Sequence, residues 1–439
     1  MDYFRYRSNQ LYCEGVAVSR LAKRFGTPLY VYSAQTIRGH YRKLRQAFPS
    51  ALICYSLKAN SNLNICRLLK ELGAGFDVVS GGELFRALRI GADPGKIVFA
   101  GVGKTADEIT NGLRHKILML NAESVDEVQT INQVAERLKT VAPVALRINP
   151  DVEPHTHRYL KTAIEETKFG LSIQDAKELI GVMHLFRNIR LKGLHLHIGS
   201  QITETWPYLK ALKKVLPLID YCRKVGHNIE YLDTGGGFGI FYTSAVSPAE
   251  TGLQPSIPGR KSFLQRPEYK GVEARPAREF GRTIMPHIKH LKLIIEPGRF
   301  IVGNAGIIVT RVIRTKSSPS TNFVICDAGM NTLIRPALYE AYHRIEPVNI
   351  KRQDANRKIK VNVVGPICES GDFLGKERFL PKVSNNDLLA IFSAGAYGYS
   401  MASTYNSRPR PPEVLVDGNK YRLITRAEKY ADLIRLEIK

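Results

Sequence analysis

Long apolar runs are missing from this 439-residue chain: none approaches the roughly 18 to 20 residues that cross a bilayer. Met1 to Gln10 is polar where a signal peptide needs an apolar stretch, so a cytoplasmic protein without membrane association is expected. Cysteine is scarce and scattered. The six (Cys13, Cys54, Cys66, Cys222, Cys326, Cys368) form no Cys-x-x-Cys pair, which argues against a zinc site and a disulfide framework but leaves room for one reactive thiol. Acidic residues are also few, 40 against 64 Lys and Arg, giving a net charge of +24. That excess raises nucleic acid, an anionic membrane or an acidic small molecule as partners. No helix-turn-helix, RNP or zinc-finger pattern accompanies it, so specific nucleic-acid binding is not expected. There is no internal repeat or low-complexity tract, and 44% hydrophobic with 24% charged residues excludes a disordered or fibrous chain.

What the chain does contain is a series of short apolar, β-branched runs bounded by Gly, Asp or Asn. They are Ala51–Leu57, Gly75–Val79, Lys96–Ala100, Ile117–Leu120, Val144–Ile148, Gly193–Ile198, Tyr231–Asp233 and Leu293–Ile295. Stretches with three-and-four apolar spacing lie between many of them, such as Leu63–Leu72, Glu83–Ile90, Ser124–Leu138 and Trp206–Val225. Eight strands alternating with helices predict a parallel (β/α)8 barrel in an α/β protein. After Pro297 the texture changes to Val, Ile and Thr runs (Ile307–Ile313, Phe323–Cys326, Lys360–Val364, Asp387–Phe392), the pattern of a β-rich C-terminal domain. The expected division is an N-terminal segment 1–33 packing on the β domain, a barrel 34–299 and a β domain 300–439. Within it, Thr243–Arg282 reads as an exposed insertion rich in Pro, Gly and basic residues, and Lys351–Lys358 as a charged hairpin tip.

Active sites of such barrels form where the strands end. Lys58 follows the first run, Phe76-Asp77 closes the second, and Arg147 the fifth. His195-Leu-His197-Ile-Gly-Ser200 closes the sixth, Asp233-Thr-Gly235-Gly236-Gly237 the seventh and Glu296-Pro-Gly298-Arg299 the eighth. A buried Lys58 amine of lowered pKa would be a nucleophile able to form a Schiff base, though a strand-end lysine reaching solvent is the commoner case. Three successive glycines can offer backbone N–H groups to a phosphate, though a tight turn reads the same. Glu296 has the character to keep a pyridinium nitrogen protonated, and His197 could lie flat against a cofactor ring; together these describe pyridoxal phosphate. The rival is a metal held by His155-x-His157 and His195-x-His197. It is set aside here on the expectation that His195 and His197 point to opposite faces of their strand, and no metal site is assigned.

The sequence resembles the fold-type III pyridoxal-phosphate-dependent decarboxylases (group IV decarboxylases), and among them the diaminopimelate decarboxylase family. The resemblance runs nearly end to end, through Phe25–Tyr32, Tyr-Ser-Leu-Lys58-Ala-Asn, Phe-Asp77-Val-Val-Ser-Gly-Gly-Glu, Arg-Ile-Asn-Pro-Asp-Val, His-Thr-His, Lys-Phe-Gly-Leu, His197-Ile-Gly-Ser-Gln and Glu296-Pro-Gly-Arg. It continues in Arg335-Pro-Ala-Leu-Tyr339, Gly365-Pro-Ile-Cys368-Glu369-Ser-Gly-Asp and Gly395-Ala-Tyr397-Gly.

The resemblance implies an alanine-racemase-like barrel followed by a β-barrel or sandwich domain, and decarboxylation of meso-2,6-diaminopimelate to L-lysine and carbon dioxide. It makes Lys58 the Schiff-base lysine, Asp77 its support, His197 the ring stacked on pyridoxal 5'-phosphate and Glu296 the partner of the pyridine nitrogen. Ser200, Gly235, Gly236, Gly237 and the Gly298-Arg299 turn would hold the phosphate or its surroundings. Arg299, Arg335, Tyr339, Glu369 and Tyr397 match positions for the substrate's distal amino-acid end, Tyr397 also lying near the cofactor, and Cys368 matches a proton donor. It further implies a homodimer in which Cys368 and Glu369 reach into the partner's barrel. The chain departs from the pattern at Phe238 and Phe241 after the triple glycine, at Arg158 and at Thr162-Ala163. Decarboxylation of ornithine, lysine, arginine or a secondary-metabolite amino acid is the alternative. A non-catalytic homologue or a nucleic-acid binder is a weaker one, because Lys58, Glu296 and Cys368 are all present.

Overall fold

Eight parallel strands close into a barrel in the computed structural model of the protein, which describes residues 3–153, 168–240, 242, 276–288, 290–350 and 358–438. In chain order the barrel strands are Leu52–Ser56, Gly75–Val78, Ile97–Phe99, Met119–Ala122, Ala142–Ile148, Ile189–Leu196, Tyr231–Asp233 and Lys292–Ile295. Each pairs in parallel with its sequence neighbours, and the eighth pairs with the first at Ile294–Leu52 and Ile295–Ile53. All eight coincide with the expected runs to within a few residues. The β-branched residues favour extended backbone, and burial on both faces removes the need for polar alternation.

The intervening helices begin where side chains can satisfy their first N–H groups. Ser80, Thr105, Ser124 and Ser172 each accept from a backbone N–H one turn in, at the heads of Gly81–Arg89, Ala106–Arg114, Val125–Arg137 and Ile173–Val182. Inside the barrel Cys54, Val98, Met119, Ala145 and Ile294 pack as one buried apolar layer. Side chains on a strand return to the same face every second residue. One step toward the C-terminal mouth, the next inward positions are therefore Ser56, Ala100, Asn121, Arg147 and Glu296, and the same count from their neighbours Gly75, Gly193 and Tyr231 adds Asp77, His195 and Asp233, every one of them buried.

The chain divides into two compact units. The barrel unit runs from His40 to Ile240 and ends at Phe300, and the other unit joins the N-terminal 39 residues and Tyr242 to everything from Ile301 onward. In that second unit strand Gly306–Ser317 is central, pairing antiparallel with Leu29–Ser33, Asn322–Cys326 and Leu388–Ile391. Leu29–Ser33 in turn pairs in parallel with Glu413–Asp417. The core between these strands holds Leu29, Val31, Ile307, Val309, Phe392 and Val414, all fully buried.

Two expectations need correction. The helix Ala277–Ile284 begins inside the stretch 243–282 assigned to an insertion; Phe280 and Ile284 are buried because the helix turns an apolar face inward. The rest of that stretch, 243–275, lies outside the described residues. The strands flanking the hairpin tip expected at Lys351–Lys358 do not pair with each other: Ile345–Pro347 pairs with Leu388–Ile391, whereas Lys358–Val364 pairs with Asn322–Cys326 and Phe373–Pro381. Residues 351–357 themselves lie outside the described residues. Among the described residues no helix is long and apolar enough to cross a membrane.

Candidate active site

The polar layer at the barrel mouth is assembled around Lys58. This residue sits in a single 3-10 turn, Leu57–Ala59, that follows the first barrel strand. Its Nζ donates to Asp77 Oδ2 at 2.8 Å, and the same oxygen accepts from the Ser56 hydroxyl at 2.6 Å. The Lys58 side chain is 32% exposed, so it is an amine held at the mouth by a buried carboxylate rather than one desolvated by apolar walls, as the sequence reading expects. Gly298 belongs to the same construction. A Cβ there would lie 2.9 Å from the Ala59 Cβ and 3.1 Å from the Ser56 Cβ, so the turn after the eighth strand packs directly on the turn carrying Lys58.

Glu296 is buried opposite, 3.4 Å from His195 Nε2 and 3.9 Å from His197 Nδ1. The expectation that His195 and His197 face apart is thereby overturned: positions two apart on a strand share a face, and both rings reach the same carboxylate. Burial pushes the Glu296 carboxyl up, but His195 and Lys58 beside it prevail and hold it well below the usual carboxylate range. Burial drives His197 well below the usual imidazole value, reinforced by the charges of Lys58 and Arg147. Its Nδ1 accepts from the Gly236 N–H at 3.3 Å, as a neutral ring does. Burial and the Glu296 charge push Asp77 up, against the pull of Lys58. His155 and His157, the other half of the metal reading, lie outside the described residues.

The glycine triplet makes close backbone approaches. A Cβ on Gly236 would fall 2.1 Å from the Glu296 carbonyl oxygen, and Gly235 and Gly237 have φ of 65° and 97°, where L side chains are strained. Of the two readings the sequence leaves open, the triplet is nearer the tight turn than an open three-amide nest. The Gly235 N–H donates to Asp233 Oδ1 at 2.9 Å and that of Gly236 to His197, so these two amides are committed to placing strand ends. Tyr208 fixes the triplet from the far side by donating to the Gly236 carbonyl at 2.6 Å. Nearby, Arg299 is buried and donates from Nη2 to the Ser200 hydroxyl at 3.0 Å, bringing together two residues expected near a phosphate.

The β-rich unit carries a second cluster. Arg335 is buried at the start of a short helix, Arg335–Tyr339, and its guanidinium lies 5.7 Å over the Tyr339 ring and 5.3 Å over that of Tyr242. Tyr397 sits at φ 55°, an uncommon conformation for an aromatic residue. Cys368 is the one exposed cysteine among the six, with its N–H held by Asn406 Oδ1 at 2.8 Å; Glu369 follows it. The other five thiols are buried, and Cys54, Cys66, Cys222 and Cys326 are pushed up by that burial.

Sequence reasoning gives no role to Ser56, Asn121 or Asp233 in the barrel and weighs His195 only within the metal reading it sets aside; it gives none to Tyr242 and His343 in the β unit. The first four were reachable by counting inward positions two at a time from the apolar layer and its strand neighbours. The last two have no local signal, because their contacts span about a hundred residues of sequence or fewer but obey no period.

Residues 34–303 match the pyridoxal-binding domain of the pyridoxal-dependent decarboxylases. The diaminopimelate decarboxylase of Aquifex aeolicus is 44% identical over 98% of this chain and 96% of its own, and that of Haemophilus influenzae 42% identical over 100% and 99%. The chain belongs to the diaminopimelate decarboxylase family. Crystal structures agree with the family assignment: diaminopimelate decarboxylase of M. jannaschii superposes with a TM-score of 0.89 at 36% identity, covering 100% of this chain and 98% of that one. A second structure of that M. jannaschii protein is a co-complex with L-lysine.

The cofactor of a family member is pyridoxal phosphate, and the barrel mouth fits it. Asp77 Oδ1 and His195 Nδ1 are buried without a hydrogen-bond partner among the described residues, beside Asp233, which burial and the Glu296 charge push well above the usual carboxylate range and which pairs with Glu296. Buried polar atoms left unpaired are costly, and a polar heteroaromatic ring is the type of group that pairs them. The amine of Lys58 and the flat neutral ring of His197 flank the same space.

Proposed function

We propose that the protein decarboxylates meso-2,6-diaminopimelate to L-lysine and carbon dioxide, as a cytoplasmic homodimer. The observation that carries this reading is the Lys58–Asp77 pair beside buried Glu296 and neutral His197 at the mouth of one parallel barrel. The identity of 42–44% with relatives named diaminopimelate decarboxylase supplies the substrate.

In this reading Lys58 is the attachment point of the cofactor, held in place by Asp77. Glu296, kept anionic by His195 and Lys58, would accept a hydrogen bond from the pyridine nitrogen and so keep that nitrogen protonated. His197 would stack on the ring, and Ser200, Gly237, Gly298 and Arg299 would hold the phosphate or its surroundings. Bound pyridoxal phosphate supplies the electron sink for the pair left behind when the carboxylate departs. Arg299 and Arg335, with Tyr339, Glu369 and Tyr397, bind the distal amino-acid end, since a guanidinium fork matches a carboxylate bidentately. Cys368 gives its thiol proton to the carbon that has lost carbon dioxide. Cys368 and Glu369 serve the site of the partner subunit.

Purified holoenzyme assayed against meso-diaminopimelate, L-lysine, L-ornithine and L-arginine is expected to release carbon dioxide from the first alone and to accumulate L-lysine. Faster turnover of ornithine, lysine or arginine overturns the substrate assignment.

A further inference from the structure

His343 lies four residues beyond the Arg335-Pro-Ala-Leu-Tyr339 stretch, is fully buried and has both ring nitrogens engaged. Nδ1 is 2.9 Å from the carbonyl oxygen of Phe392, an acceptor only, so Nδ1 carries the proton and donates. Nε2 is then a lone pair, and it accepts from the Arg335 Nε–H at 3.3 Å. The Tyr242 hydroxyl accepts from Arg335 Nη2 at 3.1 Å, and the Tyr242 ring meets the His343 ring edge-on with centroids 5.2 Å apart. The Phe392 carbonyl is fixed because its own N–H is bonded to the Arg344 carbonyl at the end of strand Leu388–Ile391. Orientation therefore passes from the sheet, through one tautomer of a buried imidazole, to the plane of the guanidinium.

We infer that His343 is a positioning residue that sets the Arg335 guanidinium for the carboxylate surviving decarboxylation, and so contributes to discrimination between amino-acid and simple diamine ligands. The inference rests on the assignment of Arg335 to the substrate's distal end. A planar fork recognises a carboxylate only when its plane is fixed, and an arginine on a flexible stem gains that from its Nε partner. Lysine cannot reproduce the geometry, since its ammonium has no Nε edge for His343 to hold.

L-Lysine keeps the distal amino-acid end and cadaverine lacks its carboxylate, so the pair separates positioning from general damage. Titrating holoenzyme calorimetrically with each, His343→Phe is expected to weaken L-lysine about tenfold and leave cadaverine within about twofold. His343→Gln, which can present an acceptor to Arg335, is expected to restore L-lysine to within about threefold of wild type. If His343→Phe does not fold, His343→Met carries the same test with a more adaptable side chain. Unchanged L-lysine binding, or equal loss of both ligands, overturns the inference. Arg335→Lys measured alongside keeps the two claims apart: if it leaves L-lysine binding intact, the assignment of Arg335 fails, and if it alone weakens binding, only the role of His343 fails.

Discussion

At the scale of single residues, the proposed choice of substrate turns on Arg335. Its guanidinium is buried between Tyr242, Tyr339 and His343, where solvent screening is weak and a carboxylate contact is strong. Arg335→Ala is expected to lower kcat/KM for meso-diaminopimelate by one to two powers of ten, from roughly 1.5 to 3 kcal/mol for one charge-assisted contact. An unchanged kcat/KM in a steady-state assay contradicts the assignment. The residue scale also shows where reading the sequence succeeds and fails. Lys58, Asp77, His197 and Glu296 stand at strand ends and were legible as a set, and the structure brings them to one mouth. The placement of His195 was misjudged although a period of two was all it required, since His195 and His197 occupy one face.

Among the elements, helix Gly81–Arg89 has a head tied to the barrel. Ser80 Oγ accepts from the Glu83 N–H at 3.2 Å while Glu83 Oε2 accepts from the Val79 N–H at 2.9 Å. Burial pushes the Glu83 carboxyl up to about 7, although the Val79 N–H pulls the other way. A carboxyl raised on folding binds its proton more tightly in the folded chain, so the stability it contributes is full below its ordinary value and is lost as pH rises toward 7. Glu83→Gln keeps an acceptor for Val79 and removes the titration. Its stability relative to wild type is expected to grow by at most about 3 kcal/mol between pH 4 and pH 8. Urea unfolding at several pH values checks this; a constant difference contradicts it. Barrel elements were legible because their signals are local: β-branched runs and capped amphipathic helices. The pairing of strand Leu29–Ser33 was not, although segment 1–33 is expected to pack on the β domain: it precedes the barrel in sequence yet pairs with Gly306–Ser317 and Glu413–Asp417, nearly three hundred residues or more away. No local pattern encodes such a partner, whereas the runs at Ile307–Ile313 and Asp387–Phe392 declared their strand character by composition.

For the whole molecule, the proposed homodimer places Lys58 and Glu296 of one chain with Cys368 and Glu369 of the other. Lys58→Ala and Cys368→Ala proteins, each inactive alone, are then expected to rescue one another on mixing. About half of the dimers become hetero, each with one site carrying both lesions and one carrying neither, so activity should return to roughly a quarter of wild type. No rescue, with subunit exchange verified by a tag, contradicts a shared site. The most direct test of the account as a whole is borohydride reduction of the holoenzyme, followed by intact mass and peptide mapping. One pyridoxyl phosphate per chain, on the peptide containing Lys58 and absent from Lys58→Ala, is the predicted result; a label on any other lysine, or none, contradicts it.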